Sequence, residues 1–106
     1  MQERAARIDT DMISSFTDGN TIFRGLVANI SEGGLKITNI TARFRPAPQQ
    51  YATIVTNRDR KFKLNLLPVW FEQCDQRVTV GFEIVAPSPD WHNYIDTMLN
   101  RSAQSC

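Results

Sequence analysis

Histidine occurs once in this chain and cysteine twice, which removes most of the chemistry that metals and thiols support. Cys74 and Cys106 are too few and too far apart for a disulfide framework or a zinc site, and both read as free thiols of a reducing compartment. No apolar run reaches the length of a membrane span, and the N-terminal segment carries no charged-then-apolar signal pattern. A cytoplasmic protein without membrane insertion is therefore expected, and the Asn-x-Ser/Thr triplets at Asn29, Asn39 and Asn100 are incidental. Charge of one sign is also scarce. Twelve basic residues face eleven acidic ones, a formal net charge of +1, so no global field gathers nucleic acid or anionic lipid. Any recognition of an anion must be local. Neither a Ser/His/Asp set, a paired-carboxylate motif nor a phosphate-binding loop stands out, so no enzyme is expected. His92, the single histidine, has no companion ligand and reads as a surface residue of a helix.

What is present is ordinary globular material. With 106 residues, 42% hydrophobic and 22% charged, the chain suits one domain, 1–106, with a modest core. Residues 1–11 are polar and read as an arm bearing Arg4 and Arg7. Met12–Phe16 is strand-like, and the Asp18-Gly19 pair that follows is a strong hairpin signal because such turns need positive φ. Further strands are expected over 21–28, 35–38 and 51–56, while Pro46 and Pro48 exclude a central strand between the last two. The run 61–71 alternates, with Phe62, Leu64 and Leu66 on one face and Lys61, Lys63 and Asn65 on the other, until Pro68 bends it. Trp70, beyond that bend, is either packed beneath a helix or exposed to a partner. Val78, Val80, Phe82 and Ile84 resume the alternation.

The period then changes. Ser88-Pro89-Asp90 is a helix start, with a serine cap, proline at the first helical position and a carboxylate at the positive dipole end. Trp91, Tyr94, Ile95, Met98 and Leu99 follow helical spacing through a helix expected over 88–101, and they read as core. Six short strands and a terminal helix predict a small antiparallel barrel capped by that helix. The basic group Arg58 to Lys63 reads as a solvated hairpin edge, since lysines protect exposed strands.

The candidate site is the turn Asn29-Ile30-Ser31-Glu32-Gly33-Gly34, which sets an amide, a hydroxyl and exposed backbone side by side. The plainer reading is a tight turn held by side-chain-to-backbone hydrogen bonds. The functional one is a polar ligand site without a catalytic group.

With these residues the chain resembles the PilZ domain, a bacterial receptor module for cyclic di-GMP. The family's (Asp/Asn)-x-Ser-x-x-Gly signature stands here as Asn29 to Gly34, within a matching hydrophobic frame that includes Val80-Gly81-Phe82 and the closing helix. The resemblance runs from about Arg4 to Leu99. It implies a mostly β fold, a six-stranded antiparallel PilZ-like β-barrel with a C-terminal α-helix. It also implies a cyclic di-GMP receptor that relays the second messenger to a protein partner in motility, biofilm or exopolysaccharide control, with a homodimer as one arrangement. The family's other signature, Arg-x-x-x-Arg before the first strand, is one residue short. Arg7 takes the second place, Glu3 stands where the first arginine would, and Arg4 is the nearest.

By that resemblance Arg4 and Arg7 would grip phosphate and guanine through paired hydrogen bonds, and Asn29 and Ser31 would fix a guanine edge. Gly33 and Gly34 would leave room for close approach and permit backbone angles forbidden to other residues. Drawing in the arm on binding would act as a switch. Two other classes compete. One is a PilZ-fold interaction domain that binds no nucleotide, which the short arginine spacing favours. The other is an oligonucleotide-binding barrel, which lacks the positive charge and aromatic platform it would need.

Overall fold

Alternating apolar and polar residues, broken by turns with Gly, Asn or Asp, wind this chain into a closed barrel. The computed structural model describes residues 8–57 and 60–104; Arg4, Arg7, Arg58 and Cys106 lie outside the described residues. Six strands come first: β1 (Ile8–Thr17), β2 (Ile22–Ile30), β3 (Gly34–Thr41), β4 (Tyr51–Asn57), β5 (Arg60–Cys74) and β6 (Arg77–Val85). The helix α1 (Pro89–Gln104) closes the order. Around the barrel the strands run β1-β2-β3-β6-β5-β4, and β4 pairs back onto β1. Every neighbouring pair is antiparallel. This is the mostly β, six-stranded barrel with a C-terminal helix that the residue pattern predicts.

Several boundaries differ, each for a local reason. β1 starts at Ile8, so residues 8–11 belong to the barrel rather than to an arm of 1–11. β3 continues past Thr38 to Thr41 because a bulge between Ile37 and Ile40 puts Asn39 at φ 63°, a conformation Asn tolerates, and returns Ile40 to the core. α1 extends three residues beyond its expected end. The β1–β2 turn follows the hairpin signal, with Gly19 at φ 103° and Asp18 accepting the backbone N–H groups of Asn20 and Thr21, each at 2.9 Å.

Inward side chains fill the barrel. At one end Phe16, Phe44, Tyr51 and Phe82 are buried with largely edge-to-face rings, and Phe23 packs against them. At the other, Trp91, Tyr94 and Ile95 of α1 plug the barrel over Phe62, whose ring meets the indole of Trp91 edge-on at 5.3 Å. Truncating a buried indole of this kind costs about 3–5 kcal/mol. Ser88 caps the helix: its Oγ accepts the N–H of Trp91 at 3.2 Å. Among the described residues one buried polar pair survives in the wall. Thr53 donates to the Ser15 carbonyl at 2.9 Å, which leaves Ser14 as donor in the 2.7 Å Ser14–Thr53 contact.

Closure corrects one expectation. β5 pairs with β4 on one side and β6 on the other, so Lys61 and Lys63 guard no sheet edge; they stand on the outer wall.

Candidate functional site

Two bulges build the site. Between β2 and β3 the register slips at Ala28, so that Val27 and Ile30 are both buried while Asn29, opposite Lys36, is brought to the outer surface only half-covered. Between β5 and β6 it slips at Val69. Phe62, Leu64 and Leu66 face inward, and continued alternation would send Trp70 inward too. The extra residue reverses the phase, and Trp70 emerges opposite Gly81, 45% exposed. Gly81 is what lets it lie flat on the barrel, since a Cβ there would overlap the indole.

The two irregularities face each other across a cleft of about 650 Å³. Asn29, Ser31, Gly33 and Gly34 line one side, with Lys36 beside them; Val69 and Trp70 line the other, and Gly81 to Glu83 form the floor. Such a volume lies within the range of small-molecule sites. Four of the six residues singled out from the sequence thus share one cleft wall. The other two, Arg4 and Arg7, lie outside the described residues. Ile8, which follows Arg7, pairs with Ile30, so β1 begins at the barrel end that carries the turn.

The turn itself is tightly made. Its Ser31 N–H donates to the Gly34 carbonyl at 2.9 Å, and the Ser31 hydroxyl points the same way at 3.4 Å. Ser31 is buried, and its carbonyl accepts the Trp91 indole N–H at 3.2 Å, which ties the turn to α1. A looser contact, His92 Nδ1 to Glu32 Oε1 at 3.9 Å, bridges the same two elements at the surface.

The glycines do not act as expected from their backbone freedom: among the described residues Gly19 is the glycine at positive φ, and neither Gly33 nor Gly34 needs it. Gly34 is favoured by proximity, because a Cβ there would stand 3.1 Å from the Phe82 carbonyl, a tight approach to backbone. Gly33 opens onto empty space, and its carbonyl accepts the Ile84 N–H at 2.9 Å.

Lys36, Val69, Trp70 and Glu83 were not legible as site residues. The signal for Trp70 was Pro68, which marks a bulge without showing the direction in which the chain resumes. Beyond the cleft, Val69, Trp70 and Phe71 continue as exposed apolar surface toward Pro46 and Pro48. Among the described residues no group of three His, Cys, Asp or Glu side chains is placed to hold a metal ion, and no helix is long and apolar enough to cross a membrane.

No protein-family model matches the chain, and no curated protein matches its sequence. Among solved structures, the Bacillus subtilis inhibitor of motility (MotI/DgrA) has the same fold, with a TM-score of 0.79 at 12% sequence identity. The match takes in 100% of this chain and 53% of that one, so the chain spans about half the length of the structure it resembles. At this identity the likeness is one of fold: a closed, PilZ-like six-stranded barrel with its C-terminal helix.

Proposed function

We propose that this domain is a cytoplasmic cyclic di-GMP receptor, a binding module without catalytic chemistry, that relays ligand occupancy to a protein partner. The observation that carries the reading is the placing of Asn29, Gly33 and Gly34 on one cleft with an exposed indole, Trp70, across from them. A guanine offers a flat π-face and a hydrogen-bonding edge. Trp70 suits the first by stacking, and the Asn29 amide, both donor and acceptor, suits the second. Lys36 supplies a positive charge for a phosphate at the same wall. Arg4 and Arg7 would close over the ligand from the start of β1, and their forked guanidinium groups match phosphate oxygens or the guanine O6/N7 edge. The fold neighbour is described as an inhibitor of motility, and motility control is the output we assign to this domain.

The second reading, a PilZ-fold domain that docks to protein and takes no nucleotide, rests on Ser31. Its hydroxyl is turned into its own turn toward the Gly34 carbonyl, and its carbonyl is engaged by Trp91. Calorimetric titration with cyclic di-GMP decides between the two. The receptor reading expects a Kd near or below about 1 μM–10 μM, weakened at least about tenfold by Arg7→Ala and by Asn29→Ala, with a change in Trp70 fluorescence. Absence of heat and of a thermal shift at roughly 100 μM ligand overturns it in favour of the docking domain.

A further inference from the structure

On the wall away from the cleft, the register sets out an outer face across four strands, β2, β1, β4 and β5, as three transverse rows. One row reads Leu26, Ile13, Thr56, Lys61. The next reads Arg24, Ser15, Ile54, Lys63, and the last Ile22, Thr17, Ala52, Asn65. Ile13 is 51% exposed, Ile22 74%, Leu26 45% and Ile54 42%, so four large aliphatic side chains stand in solvent on a single wall. A depression of about 490 Å³ opens on this wall, with two of them, Ile22 and Ile54, in its lining beside Lys63. Isolated exposed aliphatics are common, but several on adjoining strands, two of them lining a depression, mark an interaction surface.

From this arrangement we infer that the β2-β1-β4-β5 wall is a docking surface for an acidic amphipathic helix of a partner protein. Charge identifies the occupant. Lys61 and Lys63 border the aliphatic group on β5, and Arg24 stands within it on β2, between Leu26 and Ile22. The described side chains of the three rows include no carboxylate. Asp18, in the adjoining turn, is held by the N–H groups of Asn20 and Thr21. Ile22, Ile54 and Lys63 line one depression, and a helix about 10–12 Å across with its side chains, laid along it, runs beside the cationic β5 row. A helix laid there would drop its aliphatic stripe onto Ile22 and Ile54 and present carboxylates on one flank to Lys61 and Lys63.

The same features disfavour other occupants. β1 and β4, in the middle of this wall, are each paired on both sides, so neither offers an edge to β-augmentation. A second copy of this wall would bring no carboxylate in its rows to meet Lys61 and Lys63. A lipid surface would call for interfacial aromatics, and the exposed Trp70 and Phe71 belong instead to the cleft side of the barrel.

The inference does not depend on the nucleotide, and its test is run without one, so that its failure and that of the receptor reading remain separate. The probes are two helical peptides of about four turns with the same leucine stripe, one flanked by glutamates and one by lysines. Phosphatidylglycerol/phosphatidylcholine vesicles form a third arm. The Glu-flanked peptide is expected to bind at least about tenfold more tightly than the Lys-flanked one, and Lys61→Glu/Lys63→Glu is expected to reverse that order. Ile54→Ser weakens the peptide at least about fivefold while the circular dichroism spectrum is kept. Amide shifts fall on 13–17, 22–26, 52–56 and 61–65. Equal binding of both peptides, shifts confined elsewhere, capture by vesicles in place of the Glu-flanked peptide, or a dimer dispersed by Ile54→Ser each overturns the proposal.

Discussion

The indole N–H of Trp91 donates to the carbonyl of Ser31 at 3.2 Å, across 60 residues of sequence, and joins the first turn of α1 to the turn that lines the cleft. Trp91 is fully buried, so this carbonyl has no water to replace the indole. Trp91→Phe removes the donor and part of the packing volume together. The expected loss is about 2–4 kcal/mol in urea denaturation, the sum of an unpaired buried carbonyl and a partial cavity. His92→Ala, which severs only the exposed contact with Glu32, changes stability by less than about 0.5 kcal/mol. In Trp91→Phe, amide exchange at Ser31 to Gly34 is expected to rise by more than global destabilisation explains. Equal losses in the two variants would show that the helix and turn are not joined through the indole.

Wherever one residue type repeats at a fixed period, the fold was legible. Phe62, Leu64 and Leu66, then Val78, Val80, Phe82 and Ile84, announce strands with one buried face, and Trp91, Tyr94 and Ile95 announce a helix with one buried stripe. Bulges hid the rest. A single extra residue at Val69 turns Trp70 outward, and a left-handed Asn39 carries β3 three residues further than its pattern suggests. Both depend on which strand lies alongside, a relation no local window contains. The aliphatic wall was hidden for the same reason: Ile22 and Ile54 are far apart in sequence and line one depression only because β1 and β4 pair. In the site, the motif announced Asn29 to Gly34, but the reason for Gly34 lies in the Phe82 carbonyl on another strand.

The two glycines of that turn should therefore respond differently to the same substitution. At Gly34 a methyl group meets the Phe82 carbonyl at 3.1 Å and the Ser31 Oγ at 3.6 Å, and backbone cannot step aside as a side chain can. Gly34→Ala is expected to cost about 1–3 kcal/mol as β3 and β6 are pushed apart. Gly33→Ala meets nothing within 4 Å and is expected to stay within about 0.5 kcal/mol of the parent. Thermal and urea melts of the two variants check this. A Gly33→Ala protein that keeps its stability and loses cyclic di-GMP would locate the ligand against the open side of the turn.

Gly81 and Trp70 form a second testable pair. A Cβ at position 81 occupies the space of the indole, so Gly81→Ala must lift Trp70 off the barrel floor. Trp91 is buried and Trp70 exposed, so a red shift and easier quenching of the fluorescence report Trp70. The cost of Gly81→Ala, about 1–2 kcal/mol, should shrink to near zero in a Trp70→Ala background, because the clash then has no second partner. A double-mutant cycle with no coupling between the two positions would mean that the indole does not rest on Gly81.

Asp18 supplies a dependence on pH. Its exposed carboxylate accepts the backbone N–H of Thr21 and then that of Asn20, and these bonds hold its pKa below the usual carboxylate value. A folded-state pKa that lies below the unfolded one stabilises the fold at pH values above the unfolded pKa of about 3.9. That contribution is lost as the pH falls through the folded value, when the carboxylate takes up a proton and accepts hydrogen bonds less strongly. Asp18→Asn keeps an acceptor oxygen for the same N–H groups but does not titrate. Near neutral pH the variant is expected to melt below the parent, and the gap is expected to close between about pH 4 and pH 2. Raising the salt concentration should narrow the gap at neutral pH, because the group is exposed. A gap of constant size across that acid range would show that the turn uses Asp18 for its shape alone and not for its charge.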